Sequence, residues 1–141
     1  MKRSASALWK GDLKTGKGTV SSESGVLSDT QYSFGTRFEN GVGTNPEELI
    51  AAAHAGCFTM ALSAQLGTAG LVADKLETTA TLSFEKLEAG WTVTQIHLAV
   101  TGTVPKADAA IWEKAANDAK AGCPISRLLN TTITMSAKLE S

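Results

Sequence analysis

Two cysteines, Cys57 and Cys123, are the side chains of this 141-residue chain best suited to covalent chemistry. A thiolate is a nucleophile, and once oxidised to a sulfenic acid it can be captured by a second thiol as a disulfide. Position gives the two cysteines different prospects. Cys57 stands in the run TNPEELIAAAHAGCFTMALSAQLGTAG, on a helical face shared with Ile50, Ala53, Ala61 and Ala64. That setting suits an inert buried thiol as well as a reactive one. Cys123 directly precedes Pro124 at a predicted helix start, where open backbone N–H groups and the positive end of the helix dipole favour a thiolate. A plain turn-capping role fits the same place. His54 lies one helical turn before Cys57; it reads first as a buried histidine bonded to a backbone carbonyl or across a dimer, and second as a proton donor.

The surroundings of these residues narrow the chemistry. Lys and Arg number 13 against 14 Asp and Glu, with no tail of like charge, so an electrostatic grip on nucleic acid or on a membrane surface is not expected. The start, MKRSASALWKGD, has no apolar run before Lys10 and Asp12 and fails as a signal peptide, which leaves a cytoplasmic location as the expectation. In a reducing compartment a cysteine pair forms a transient catalytic or sensory disulfide, or else two packed thiols. There is no P-loop, no G-x-G-x-x-G after a strand and no Cys/His spacing suited to zinc. Neither a bound cofactor nor a metal is expected.

The elements that must position the thiols follow from periodicity. An apolar fraction of 43% over this length predicts one domain, residues 1–141. Residues 5–10 and 17–22 read as a hairpin around Gly11, Gly16 and Gly18, and 32–38, YSFGTRF, as a further short strand. Asn45 is a good N-cap, Pro46 fits the first helical position, and Glu48 at the third can reach back to the cap, leaving Glu47 for other work. From Leu49 to Ala73 there is no Asp, Glu, Lys or Arg, which predicts a central helix buried on nearly every side. Its many alanines and polar side chains make it a poor membrane span.

Beyond it, 76–84 alternates as a half-buried strand, and 91–101 is a second strand whose apolar phase shifts near Gln95, predicting a bulge. A helix over 106–121 stops at Gly122, a short helix begins at Cys123-Pro124, and ITMSAKL closes the chain as a strand. The fold class is α+β, with antiparallel strands around a buried helix. Trp9, Trp91 and Trp112 read as core or interface anchors, with Trp9 or Trp91 free to wall a pocket.

The run NPEELIAAAHAGCFTMAL together with KAGCPIS closely resembles the osmotically inducible protein C (OsmC) family, relatives of the organic hydroperoxide resistance proteins. The similarity extends from LWKGDLKTGKGTVSSESGVL through TRFENGVGTNPEELI to the last strand, over practically the whole chain. Gly56 stands where the family more often has alanine. The resemblance implies an OsmC-like fold, with sheets wrapped around the long helix in an intertwined homodimer. It also implies a thiol peroxidase, with Cys57 in AGCF as the attacking thiol and Cys123 in AGCP as the resolving one. The arginine and glutamate that accompany the reactive cysteine in the family match Arg37 in TRF and Glu47 after Pro46. Without the resemblance, Arg37 reads as an exposed strand cation and Glu47 as a helix-start charge.

The implied reaction gives those residues a reason. A thiolate attacks one oxygen of an organic hydroperoxide, the alkoxide leaves, and Cys123 resolves the Cys57 sulfenic acid as a disulfide. Lowering a cysteine pKa from ~8.5 to ~6 raises its neutral-pH thiolate fraction roughly 30-fold. Lost nucleophilicity takes back roughly 10- to 20-fold of that. The larger effect must be a guanidinium held against the peroxide oxygens, which points to Arg37, with Glu47 fixing its fork. Electrons then come from an external dithiol, which the resemblance implies to be a lipoyl-bearing protein. Two rival readings use the same residues: a thiol redox sensor, and a carrier of apolar molecules with inert thiols.

Overall fold

The computed structural model describes residues 1–140, and these divide into two compact units on either side of the Leu49–Ile50 boundary. In the first, β1 (Ala5–Lys10) and β2 (Lys17–Ser22) form the expected antiparallel hairpin, and β3 (Thr30–Tyr32) adds to the free edge of β2. The hairpin turn is organised by Asp12, whose carboxylate accepts hydrogen bonds from the Lys14 and Thr15 amides and the Thr15 hydroxyl. Gly18 pairs with Trp9 on one side and Tyr32 on the other. A Cβ at Gly18 would stand only 2.6 Å from the Trp9 ring, so its absence lets Trp9 and Tyr32 approach to 5.5 Å between ring centroids.

Residues 32–38 are not a strand. Pairing ends at Tyr32 and Phe34–Phe38 forms a short helix, α1. The reason is a reciprocal cap: the Ser33 hydroxyl accepts from the Thr36 amide at 3.3 Å, and the Ser33 amide donates to the Thr36 hydroxyl at 2.8 Å. Threonine here does what glutamate usually does in such a box. The helix sets Phe34 and Phe38 one turn apart, with ring centroids 4.9 Å from each other.

Helix α2, Pro46–Thr68, begins where the sequence predicts. The Glu48 amide donates to Asn45 Oδ1 at 2.7 Å, and Asn45 Nδ2 donates to the Thr36 carbonyl, tying the helix start to α1. Glu48 does not reach back to Asn45; its carboxylate accepts from the Thr44 hydroxyl instead. Nor is α2 buried all round. His54, Phe58, Leu62 and Leu66, spaced four apart, are buried, whereas Met60 is 77% exposed and Ala52, Ala53 and Gly56 are open. One chain covers one stripe of the helix. By length and composition alone α2 could cross a membrane, but its buried stripe carries His54 into a protein core.

The second unit holds that core. Strands β4 (Lys75–Leu87) and β5 (Gly90–Thr103) pair antiparallel, with a register shift that leaves Thr94 extra between Val93 and Gln95, the predicted bulge. Past it Ile96, Leu98 and Val100 face inward with Phe58, Leu62, Leu66 and Trp112. Helices α3 (Ala109–Gly122) and α4 (Pro124–Leu128) then carry the chain across, so β6 (Thr132–Leu139) returns parallel to β5. The expectation of wholly antiparallel strands fails at this pair, because a helical crossover brings the chain back in the direction it left. His97 is absorbed by that pairing, bonded to Thr134 and Ser136. By contrast, the buried residues of the first unit are Gly16, Gly18, Thr36 and Thr44, with no large apolar side chain among them.

Two glycines test this packing in opposite directions. A Cβ at Gly102 would lie 2.6 Å from Trp112 Cζ3, whereas a Cβ at Gly56 meets nothing within 4 Å. Gly102→Ala is expected to lower the unfolding free energy by about 1–3 kcal/mol through overpacking. Gly56→Ala should raise it by about 0.5–1 kcal/mol by relieving glycine's helix penalty. Urea denaturation of both variants reads the difference.

Candidate functional site

The cysteines meet in the second unit. Cys57 projects from the middle of α2 beside the buried stripe and is partly accessible; Cys123 is wholly buried. Gly122 ends α3, and Cys123, in extended conformation, caps α4 with Pro124 at its first position. The sulfur of Cys123 accepts from the Ser126 amide at 3.4 Å and donates to the Ser126 hydroxyl at 3.5 Å. The two thiols are close enough to influence each other's ionisation, and the Ile125 backbone acts on both sulfurs.

These contacts divide the charge unequally. Burial is the largest influence on Cys57 and pushes its thiol up, and the neighbouring Cys123 pushes the same way. At Cys123 burial also opposes ionisation, but hydrogen bonding with the Ser126 side chain and amide and the influence of Cys57 and Ile125 outweigh it and draw the thiol below its ordinary value. The expectation for Cys123 at a helix start is met. At Cys57 the neighbours within residues 50–141 work against ionisation, since desolvation favours the neutral thiol.

Arg37 and Glu47 also meet, in the first unit. Arg37 lies in the last turn of α1 and Glu47 in the first turn of α2. Arg37 Nη2 donates to Glu47 Oε1 at 2.8 Å, and Nε donates to Oε1 at 3.0 Å and lies 3.3 Å from Oε2. This fork is the geometry proposed from the resemblance, and it leaves one edge of the guanidinium turned away from the carboxylate. Arg37 borders a cavity of about 280 Å³ lined by Trp9, Leu13, Tyr32, Phe34 and Phe38. Its lining suits an apolar group, and of the two tryptophans named for such a wall, Trp9 occupies the position. Trp91 stacks on Phe84, and Trp112 is core.

His54 is fully buried, and its Nε2 lies 2.7 Å from the Ser126 hydroxyl. That makes it a structural histidine of the expected kind, except that its partner is a side chain and not a carbonyl. Ser126 itself was given no role by sequence reasoning. Its signal was available: in Cys-Pro-Ile-Ser a hydroxyl falls at the third position of the helix that Cys123 caps.

The chain was compared with known proteins. A family model described as OsmC-like protein matches residues 38–138. Over 135 residues the chain is 52% identical to peroxiredoxin OsmC of Escherichia coli (strain K12), covering 96% of this chain and 94% of that protein. The organic hydroperoxide resistance protein OhrB of Bacillus subtilis superposes with a TM-score of 0.70 at 25% identity, over 96% of this chain and 98% of that one. An OsmC-like protein from Vibrio cholerae gives a TM-score of 0.78 over 97% and 99%, and at 17% identity shows a shared fold.

Burial pushes His54 below its ordinary value of 6.5, so the folded chain holds the ring neutral where the unfolded chain takes up a proton. Below about pH 6.5 the unfolded state therefore binds more protons, and stability must fall as pH drops from there towards the folded value. Urea midpoints followed from about pH 8 to about pH 5 should show this acid loss in the wild type. The loss should be smaller in His54→Gln.

Proposed function

The chain belongs to the OsmC-like protein family and is an enzyme of the peroxiredoxin type, and from that premise we propose that it reduces organic hydroperoxides to alcohols with Cys57 and Cys123. The observation that carries this reading is the closeness of the two thiols, one on α2 and one at the cap of α4, which act directly on each other's ionisation. Two sulfurs so placed form a disulfide with little movement.

In the proposed cycle Cys57 attacks the terminal peroxide oxygen as a thiolate, the O–O bond breaks, and the alkoxide leaves with a proton as the alcohol. Cys57 is left as the sulfenic acid. Cys123 attacks its sulfur, the S–O bond breaks, water leaves, and a disulfide joins the two residues. Cys57 is the better entry point because it is the partly accessible sulfur, whereas Cys123 is sealed in the core. Arg37, aligned by Glu47, supplies the positive charge that Cys57 lacks among its neighbours in residues 50–141 and stabilises the peroxide oxygens as charge develops. The aromatic cavity beside Arg37 receives the organic part of the substrate, which favours alkyl and aryl hydroperoxides over hydrogen peroxide.

The functional unit is a homodimer in the cytoplasm acting as a single peroxidase domain. Two features support association: residues 1–49 bury no large apolar side chain, and α2 has one buried stripe and open faces of small residues. A 49-residue piece without a core is stable only against something else. The reductant is an external dithiol of the dihydrolipoyl kind.

One equivalent of cumene hydroperoxide, with thiol loss and mass followed, tests the roles. Wild type should yield an internal disulfide, Cys57→Ser should not react, and Cys123→Ser should consume peroxide and accumulate sulfenic or over-oxidised Cys57. Rapid consumption by Cys57→Ser would overturn the assignment. With dihydrolipoamide present, many equivalents should be consumed, whereas a sensor would stop after one. Arg37→Lys, which keeps the charge but loses the planar fork, should slow the first step by roughly 100-fold in single-turnover measurements.

A further inference from the structure

Three buried polar side chains stand in line behind the disulfide-forming pair: His54 on α2, Ser126 on α4 and Cys123 at the cap of α4. His54 and Cys123 are 0% exposed and Ser126 9%. The links are short, 2.7 Å from His54 Nε2 to Ser126 Oγ and 3.5 Å from Ser126 Oγ to Cys123 Sγ. The other ring nitrogen of His54, Nδ1, is buried with no hydrogen-bond partner among the described residues.

That bare nitrogen decides which way the hydrogen bonds run. A neutral imidazole carries one proton, and a buried N–H without an acceptor is rarer and costlier than an acceptor left bare. The proton therefore belongs on Nε2, which donates to Ser126 Oγ. With His54 donating, the hydroxyl proton of Ser126 is directed away from the imidazole and can turn to the sulfur once the thiol proton has gone. The same oxygen keeps a lone pair with which to accept from Cys123 while that residue is still a thiol.

We infer that His54 and Ser126 are positioning residues for Cys123: His54 Nε2 holds the Ser126 oxygen so that its hydroxyl donates to the sulfur as the thiol proton leaves, presenting Cys123 as a thiolate to oxidised Cys57. The inference rests on the reading of Cys123 as the resolving thiol. In the step it serves, the Cys123 thiolate attacks the sulfur of Cys57–SOH, the S–S bond forms, and the S–O bond breaks. The departing hydroxide takes up the proton that Cys123 released and leaves as water. Cys57 sulfur is reduced by one electron equivalent and Cys123 sulfur oxidised by one, so no further oxidant is needed.

The groups facing Cys123 are the Cys57 thiol of α2, the Ile125 amide and Ser126 hydroxyl and amide of α4, and His54 behind Ser126. Lys120, in the last turn of α3, and Arg127, exposed on α4, are the nearest cations along the chain. The device therefore works through neutral donors, which can stabilise an anion in the core without bringing in a second charge to be desolvated.

The test isolates Cys123 in a Cys57→Ser background, where it is the sole thiol, and titrates its thiolate by ultraviolet absorbance. Adding Ser126→Ala should raise the midpoint by about one pH unit, the worth of a hydrogen bond to a charged group. Adding His54→Phe should raise it in the same direction. His54→Gln, whose amide can place an N–H near the position of Nε2, should hold it close to the parent value. With Cys57 restored, Ser126→Ala and His54→Phe should slow disulfide formation several-fold after one equivalent of cumene hydroperoxide. Either variant alone suffices if the other does not fold. If the midpoint stays put in both while wild type still forms its disulfide, the peroxidase reading stands and the positioning role is overturned. If Cys57→Ser itself consumes the peroxide, that reading fails and this role falls with it.

Discussion

Two thiols taken out of water against each other cannot both ionise, because the second charge would be unsolvated and repelled by the first. Whichever sulfur collects the better donors becomes the anion, and the other becomes its donor. In residues 50–141 the N-terminal turn of α4 supplies those donors to Cys123, through the Ser126 amide and hydroxyl and the Ile125 amide. Cys57, seated on a helix whose own amides are already bonded, receives only part of Ile125 and is pushed up. The pair is thereby graded before any substrate arrives, with its more acidic member sealed in the core and its less acidic member partly open to solvent.

In the proposed peroxidase cycle, that grading gives the two halves different physical requirements. The resolving sulfur needs acidity and aim, both of which neutral hydrogen bonds in a dry site provide. The attacking sulfur needs a cation, since its local environment works against ionisation. A cation that also faced Cys123 would cost desolvation twice, so an arginine already forked by a carboxylate is the suitable form of positive charge. Glu47 holds the Arg37 fork by one edge and fixes the plane of the ion. The Phe38 ring, 5.4 Å from the guanidinium carbon, adds a further constraint on its plane.

The placement of apolar surface is what supports the proposal of an assembly. Residues 50–141 bury a continuous core of Phe58, Leu62, Leu66, Ile96, Leu98, Val100 and Trp112, while residues 1–49 carry an aromatic cavity and no core. Small residues on the open faces of α2 permit close approach of another backbone, and they carry little side-chain entropy to lose. These features fit the intertwined homodimer proposed for the functional unit.

Much of this was legible in one sequence, for reasons that are local. The hairpin 5–10/17–22 needed only glycine placement and turn chemistry, the start of α2 only Asn45-Pro46-Glu47-Glu48, and the bulge at Thr94 only a break in alternation. Each depends on neighbours within a few residues. The pairing of Arg37 with Glu47 was legible only by likeness to relatives, because it joins the short helix α1 to the start of α2 and α1 itself was hidden in a run rich in strand-forming aromatics. Four features belonged to tertiary structure alone. The parallel return of β6 depends on where a crossover lands. The single buried stripe of α2 depends on how much surface one chain has available to cover a helix. The alignment of His54, Ser126 and Cys123 joins side chains 72 residues apart, and the unequal acidity of the two thiols likewise depends on packing. Acidity is a property of what surrounds a sulfur after burial, and no pattern along the chain records which donors will be standing there.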